Sequence, residues 1–235
     1  MAQATPDASY IRDLFDRIAP VYDDLNQSLS FGLHTIWKQM AVDWSGAQPG
    51  MTVLDVCCGS GDLALLLARQ VGAKGQVTGA DFAVEQLAIA AQRARAKGYA
   101  ARTHWVEADA LQLPFETNQY DALTMGYGLR NLTDITQGLR ELYRVLKPGA
   151  KAAVLDFHRP SSAIVQQFQT WYLDTVVIPA AEQRGLIEEY AYIGPSVDRF
   201  PMGDAQVSLA HQAGFSQAVH YPLAGGMMGV LVAQK

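Results

Sequence analysis

The sequence predicts an α/β fold built on a mostly parallel, doubly wound sheet of seven strands. Three observations lead there. Strand-like and helix-like patterns alternate between Asp55 and Asp156. A glycine-rich turn, Gly59-Ser60-Gly61, follows the first strand. The alternation then gives way to a hairpin signal around Pro222-Leu-Ala-Gly-Gly226. Strands separated by helices imply βαβ units and parallel pairing, and a closing hairpin adds an antiparallel partner.

Along the chain, residues 1–45 read as a helical cap. Ile11, Leu14, Phe15 and Ile18 recur at helical spacing, and Ile36, Trp37, Met40, Ala41 and Trp44 mark a second helix. Residues 46–235 form the main domain. Thr52–Val56 is an apolar strand, and Gly61–Val71 is a leucine-rich helix. Gln76–Asp81 is the second strand, followed by a helix over Val84–Lys97 that Gly98 stops. Arg102–Glu107 and Tyr120–Met125 are strands. Thr133–Leu146 is a helix closed by Lys147-Pro148-Gly149, and Ala150–Phe157 is the fifth strand. The segment 159–201 interrupts this order as an insertion, with Ile164, Val165, Phe168, Trp171, Tyr172 and Thr175 on one face and Tyr190, Tyr192 and Phe200 beyond. Amphipathic stripes face a core first. Rich in aromatic residues and near the carboxyl edge of the sheet, this one also suits a lid over a flat, apolar substrate. A helix around Asp204–Ala213 and strands at Gln217–Tyr221 and Met228–Val232 complete the chain.

With 235 residues, 49% hydrophobic and 17% charged, the chain has enough apolar surface for a core without staples. A net charge of −5 and the lack of any Lys/Arg-rich run argue against nucleic acid. Cys57 and Cys58 are adjacent, so they give neither a disulfide framework nor a spaced metal site, and no metal is expected. Small packing residues in a tight turn are the simpler reading of both. The polar start shows no signal pattern, and no apolar run approaches a bilayer span. The expectation is a cytoplasmic protein, with peripheral membrane contact open through Trp37, Trp44, Trp171 or Tyr172. Nothing in the pattern sets an oligomeric state.

The segment Val53-Leu-Asp55-Val-Cys-Cys-Gly59-Ser-Gly61-Asp-Leu-Ala64 carries the chemistry. Glycine lets backbone approach a ligand, and the helix beyond offers free N–H groups. Gly59 to Ala64 fits the dinucleotide pattern G-x-G-x-x-G/A, a weak signal alone. Asp55, at the strand end, repels a pyrophosphate. It suits a ligand with an amine, a positive centre and no phosphate, and S-adenosyl-L-methionine has all three properties. Asp81 ends the second strand, placed to accept from both ribose hydroxyls. Phe82 could pack on an adenine, Asp109-Ala110 would face its amino group, and Gly126 ends the fourth strand. The parallel sheet with a terminal hairpin resembles the class I S-adenosylmethionine-dependent methyltransferase fold.

Three separated motifs make the resemblance specific. Tyr22-Asp23-x-Leu25-Asn26-x-x-Leu29-Ser30-x-x-x-His34-x-x-Trp37 is similar to the N-terminal signature of the ubiquinone/menaquinone biosynthesis C-methyltransferase family, with Leu25 where that family has methionine. Gly128-Leu129-Arg130-Asn131 resembles its F-G-[LI]-R-N motif, with Tyr127 before the glycine. Arg144-Val-Leu-Lys147-Pro148-Gly149 resembles the start of a second signature, which here continues with Ala150, Asp156 and His158 in place of glycine, Glu and Ser. These departures and the insertion look like the cyanobacterial and plant branch, which methylates demethylphylloquinone. Cys57 replaces a Gly or Ala of the family turn.

The resemblance implies methylation of a prenylated naphthoquinol at a ring carbon, with demethylmenaquinol or a ubiquinone precursor as the alternative. Tyr22 would close over the cofactor. Arg130 would stabilise a phenolate oxygen or, alternatively, hold the following helix in an ion pair. Asn131 would orient the phenolate or a water. Arg130 is too basic to take the proton, which leaves His34, His158 or a water held by Asn131. In other classes stand a nicotinamide-dependent oxidoreductase, disfavoured by Asp55 and the hairpin, and a non-catalytic binding module, disfavoured by the intact turn.

Overall fold

Alternation along the first strand sets the layers. A computed structural model of the chain describes residues 32–183 and 192–235. In β1 (Thr52–Val56) the side chains of Leu54 and Val56 enter one buried cluster and Val53 enters the other, so the strand feeds a core on each face of the sheet. A strand buried on both faces reads as a near-continuous apolar run.

The other strands are β2 (Gln76–Asp81), β3 (Thr103–Glu107), β4 (Tyr120–Gly126), β5 (Leu146–Phe157), β6 (Gln217–Leu223) and β7 (Met228–Gln234). They form a seven-stranded sheet in the order β3-β2-β1-β4-β5-β7-β6. β7 runs antiparallel to both its neighbours and the remaining pairs are parallel. The expected mixed sheet with a closing hairpin is therefore the observed one. Strand order reverses between β1 and β4, and such a switch point opens a crevice at the strands' carboxyl ends.

The helices are α1 (Leu33–Trp44), α2 (Asp62–Val71), α3 (Val84–Ala96), α4 (Ile135–Val145), α5 (Ala163–Tyr172), α6 (Ile178–Glu182), α7 (Ile193–Arg199) and α8 (Gly203–Ala213). Ala41 and Val42 of α1 join Leu63, Leu67 and Val71 of α2 on one face of the sheet. Leu139 and Leu142 of α4 join Ala210 and Ala213 of α8 on the other. Asp134 caps α4 by accepting from the Gln137 backbone N–H at 2.9 Å.

Three expectations are corrected. The fifth strand begins at Leu146, because Lys147-Pro148-Gly149, with Gly149 at a φ of 81°, interrupts pairing without ending it. The register against β4 slips between Tyr120 and Ala122, and Leu146 still pairs with Tyr120. On α1 the buried face carries His34 and Lys38 with Ala41 and Val42, while Ile36 is 54% exposed. In the insertion, α5 buries no side chain and continues through a π-helical turn, Leu173–Val177, into α6. The stripe Ile11 to Ile18, Tyr22 and Tyr190 lie outside the described residues. Among those described, no helix is long and apolar enough to cross a membrane.

Candidate active site

The crevice at the β1–β4 switch point is a cavity of about 740 Å³, a size suited to a nucleoside-sized ligand. Its floor is the turn after β1. Gly59 and Gly61 have φ of 51° and 89°, and a Cβ on Gly61 would stand 3.0 Å from both Ala90 and the Trp105 ring. Glycine is required here for backbone handedness and for the close approach of α3 and β3 together. Cys57 also adopts a left-handed φ of 54°, which costs an L residue roughly 1–2 kcal/mol. The turn thus keeps its shape with a residue other than glycine at that position. Burial raises both cysteine thiols, and the neighbouring Asp81 and Asp55 raise them further, which favours the uncharged thiol in both.

Asp55, Asp81, Phe82, Asp109, Ala110 and Gly126 all line this cavity with Gly59. Asp55 faces Thr124 across the β1–β4 register and accepts from its hydroxyl at 2.7 Å through Oδ1. Its Oδ2 is buried with no hydrogen-bond partner among the described residues. Burial pushes the carboxyl up to about 7. Asp81 is fixed by two backbone N–H donors, Gly59 at 2.8 Å and Ala83 at 2.9 Å, so the turn itself aims this carboxylate. Asp109 accepts from the Leu111 N–H at 2.8 Å and shapes the loop that brings Ala110 to the wall.

Of the four expected catalytic residues, only Asn131 lines the cavity. Its Nδ2 donates to the Tyr127 carbonyl at 3.1 Å, and its Oδ1 is buried without a partner among the described residues. Arg130 turns the other way. Its Nη1 reaches Asp156 at 2.6 Å and the Tyr127 carbonyl at 2.8 Å, with both side chains of the ion pair about 5% exposed. Its guanidinium also sits 5.0 Å from the centre of the Phe157 ring. These contacts fit the ion-pair alternative for Arg130, and they tie the Tyr127–Asn131 loop to β5. His158 is likewise engaged away from the cavity. Its Nδ1 faces the Gly226 carbonyl at 3.1 Å and its Nε2 accepts from the Gly203 N–H at 2.9 Å, which occupies both nitrogens. His34 is buried on α1 and does not reach the cavity lining. Burial and the adjacent Lys38 lower its pKa.

Sequence reasoning missed a charged cluster at the cavity mouth. Lys38, in the buried face of α1, pairs with Asp62, the first residue of α2. Arg93 of α3 pairs with the other Asp62 oxygen at 2.5 Å and holds the Ser60 carbonyl and hydroxyl at 2.9 and 2.8 Å. Burial alone would raise the Asp62 carboxyl, but the two cations bring it below its usual range. The available signal was Lys38 beside Trp37, at the end of the N-terminal motif. The second signature proves structural: Arg144 binds the Leu113 and Phe115 carbonyls, and Lys147 binds Asp121.

Residues 3–235 match the ubiE/COQ5 methyltransferase family. The chain belongs to that family. It is a methyltransferase, with S-adenosylmethionine as the methyl donor. Among the relatives, the 2-phytyl-1,4-naphtoquinone methyltransferase of Trichormus variabilis is 62% identical over 225 residues, covering 96% of this chain and 98% of the relative. The chloroplastic 2-phytyl-1,4-beta-naphthoquinone methyltransferase of Arabidopsis thaliana is 50% identical over 226 residues, covering 95% and 87%. A solved SAM-dependent methyltransferase from Aquifex aeolicus shares the fold, with a TM-score of 0.63 at 21% identity over 84% of this chain and 88% of that one. Membership in the ubiE/COQ5 family removes the oxidoreductase reading. Among the described residues, no cluster of His, Cys, Asp or Glu could hold a metal.

Proposed function

We propose that this chain methylates a ring carbon of a prenylated naphthoquinol, converting demethylphylloquinol to phylloquinol in the last step of phylloquinone biosynthesis. One observation carries the reading. Asp55 Oδ2 and Asn131 Oδ1 are both buried and, among the described residues, without a hydrogen-bond partner, in a single cavity whose walls include Leu63, Leu111, Leu132 and Tyr127. The relatives named for 2-phytyl-naphthoquinone support the substrate class.

In this reading Asp55 accepts from the cofactor's amine, Asp81 from its ribose hydroxyls, and Phe82, Asp109 and Ala110 flank the adenine. Gly59, Gly61 and Gly126 admit it closely. S-adenosylmethionine, when bound, supplies an electrophilic methyl on a sulfonium. The quinol loses a hydroxyl proton, and the phenolate pushes electron density onto the adjacent ring carbon. That carbon forms a bond to the methyl as the sulfur–methyl bond breaks; the ring proton then leaves and the phenolate oxygen takes back a proton. The net products are methylated quinol, S-adenosylhomocysteine and one proton. Of the acceptors considered, His158 has both nitrogens engaged and His34 lies off the cavity. A water held by Asn131 Oδ1 then receives the hydroxyl proton. Arg130 fixes Asn131 through their shared Tyr127 carbonyl, and the apolar walls exclude bulk water.

The substrate's tail also supports a transient bilayer contact through α5, where Ile164, Phe168 and Trp171 are 80, 48 and 54% exposed at helical spacing on one face. Trp37, Trp44 and Tyr172, the other candidates, are half-buried.

The test is transfer of labelled methyl to a panel of naphthoquinols and benzoquinols, each oxidised and reduced. The reading expects turnover with reduced 2-phytyl-1,4-naphthoquinol and none with the strictly oxidised form. Equal rates on both would remove the phenolate mechanism, and preference for a benzoquinol would remove the substrate. For the bilayer contact, Trp171→Ser should lower kcat/KM on phytyl substrate in phosphatidylcholine vesicles and spare a tailless naphthoquinol.

A further inference from the structure

The cavity is strongly asymmetric in charge. Asp55, Asp81, Glu107 and Asp109 line it, together with Asp62, and Lys38 is the cation among the described lining residues. A buried ammonium is held only by partners worth its desolvation, and here it is placed on purpose. Lys38 lies outside the strands and the glycine turn. It comes from α1, which packs over α2, and its side chain is 7% exposed. The ammonium has three N–H donors, and among the described residues Asp62 Oδ2 is its hydrogen-bond acceptor. Asp62 is itself shared with Arg93, so two cations surround one carboxylate and the cluster keeps an excess positive charge. The Tyr127 ring, also in the cavity wall, lies 5.8 Å from the ammonium.

S-adenosylmethionine ends in an amino acid, one positive and one negative group on the same carbon. Asp55 suits the positive group. We infer that Lys38 binds the negative one: its ammonium, shared with Asp62 in the Lys38–Asp62–Arg93 cluster, is the subsite for the cofactor's α-carboxylate. Asp62 holds the ammonium in place, and Arg93 neutralises Asp62 so that it does not repel the arriving carboxylate. Arg93 also anchors the Ser60 carbonyl, which ties the cluster to the glycine turn. The inference rests on the cofactor reading of the cavity and adds a recognition element supplied by the N-terminal helix. A nucleoside without the amino acid would gain nothing from it. Binding of the amino-acid end would thereby fasten α1 to the sheet domain.

The experiment is a calorimetric cycle on the full chain with S-adenosylmethionine and its decarboxylated analogue, which keeps the amine and the sulfonium. The wild-type protein should prefer the carboxylated ligand by about ten- to a hundred-fold, the worth of a charge-assisted hydrogen bond. Lys38→Met should abolish that preference, weakening S-adenosylmethionine by the same factor and leaving the decarboxylated analogue within about threefold. Lys38→Arg should retain part of it. Equal affinity of the wild-type protein for both ligands would overturn the inference without any variant, and so would parallel weakening of both ligands in Lys38→Met. Wild-type protein that binds neither ligand would instead overturn the cofactor reading itself.

Discussion

Arg130 and Asn131 are neighbours in sequence and opposites in environment, which separates their variants. Removing Arg130 leaves Asp156 buried and alone, a change that costs about 3–5 kcal/mol. Arg130→Ala should therefore lower the melting temperature and lose cofactor affinity and rate together. Asn131→Ala removes one polar contact at the cavity wall. It should keep its fold and its S-adenosylmethionine affinity within a few-fold while kcat falls by about 100-fold, as loss of one proton-handling contact does. Calorimetry, melting and initial rates on both variants check the pair. A well-folded Arg130→Ala with intact cofactor binding and a hundred-fold lower kcat would return Arg130 to direct chemistry. Much at this scale was legible: Asp55 and Asp81 lie near the ends of strands and Asp109 follows one, and strand ends of a doubly wound sheet converge on the ligand. The histidines and Lys38 were not. Periodicity sorts apolar from polar, yet His34 and Lys38 are polar residues on the buried side of α1. What makes that tolerable for Lys38 is Asp62, whose position opposite it is a tertiary fact. His158 looked like a base because its partners, the Gly203 and Gly226 backbone groups, leave no trace in residue type.

Between elements, the turn after β1 and the loop after β4 meet at contact distance. A Cβ on Gly128 would stand 2.6 Å from the Cys57 Cβ and 2.7 Å from its sulfur, while Cys57 and Tyr127 both hold positive φ. Gly128→Ala should destabilise the protein by roughly 1–3 kcal/mol through overpacking, and Cys57→Gly should recover most of that loss. A double-mutant cycle by denaturant unfolding measures the coupling, which should exceed about 0.5 kcal/mol. Additive single effects would mean that the two segments yield independently. The strands and most helices were legible because apolar runs bounded by glycine fix both type and length. The start of β5 was not, since proline and glycine in Lys147-Pro148-Gly149 break a ladder locally, and only the partner strand shows that pairing resumes. His158 and Gly203 flank the 159–201 insertion, so their hydrogen bond clasps its two ends. The insertion's helical stripe was readable, but its exposure depends on what it fails to pack against.

For the whole molecule, buried titratable groups pull stability in opposite directions with pH. Burial raises Asp55 to about 7 from an ordinary 3.8, so the folded chain holds its proton more tightly than the unfolded one. That contribution is present at low pH and is lost as pH rises towards and through 7, by up to roughly 4 kcal/mol. Burial lowers His158, and burial with the nearby His158 lowers His220 to about 4. Their rings lie 4.5 Å apart at a tilt of 35°, and both favour the neutral form, so their contribution is present above about 6.5 and is lost as pH falls below it, for His220 through about 4. Denaturant unfolding without ligand should show a stability maximum near pH 6–7. Asp55→Asn should flatten the alkaline side and His220→Gln the acid side. A cationic amine beside Asp55 favours its ionised form, so S-adenosylmethionine should bind about tenfold more tightly per pH unit up to 7 and level off above it. PH-independent binding between 5.5 and 7 would separate Asp55 from the amine.

The strand order carries a consequence for how the protein comes into being. Among the described residues β6 has β7 as its one strand neighbour, and β7 lies between β5 and β6. During synthesis, therefore, β6 emerges with no strand to join, and the apolar edge of β5 stays open until β7, made later, slides between them. The nascent chain carries two unpaired edges in that interval, the condition under which strands pair with the wrong partner. Folding assistance, if the chain needs any, is needed at this last insertion. Pulse-labelled hydrogen exchange should find β1, β2 and β4 protected before β5, β6 and β7, whose amides should gain protection together in the slowest phase.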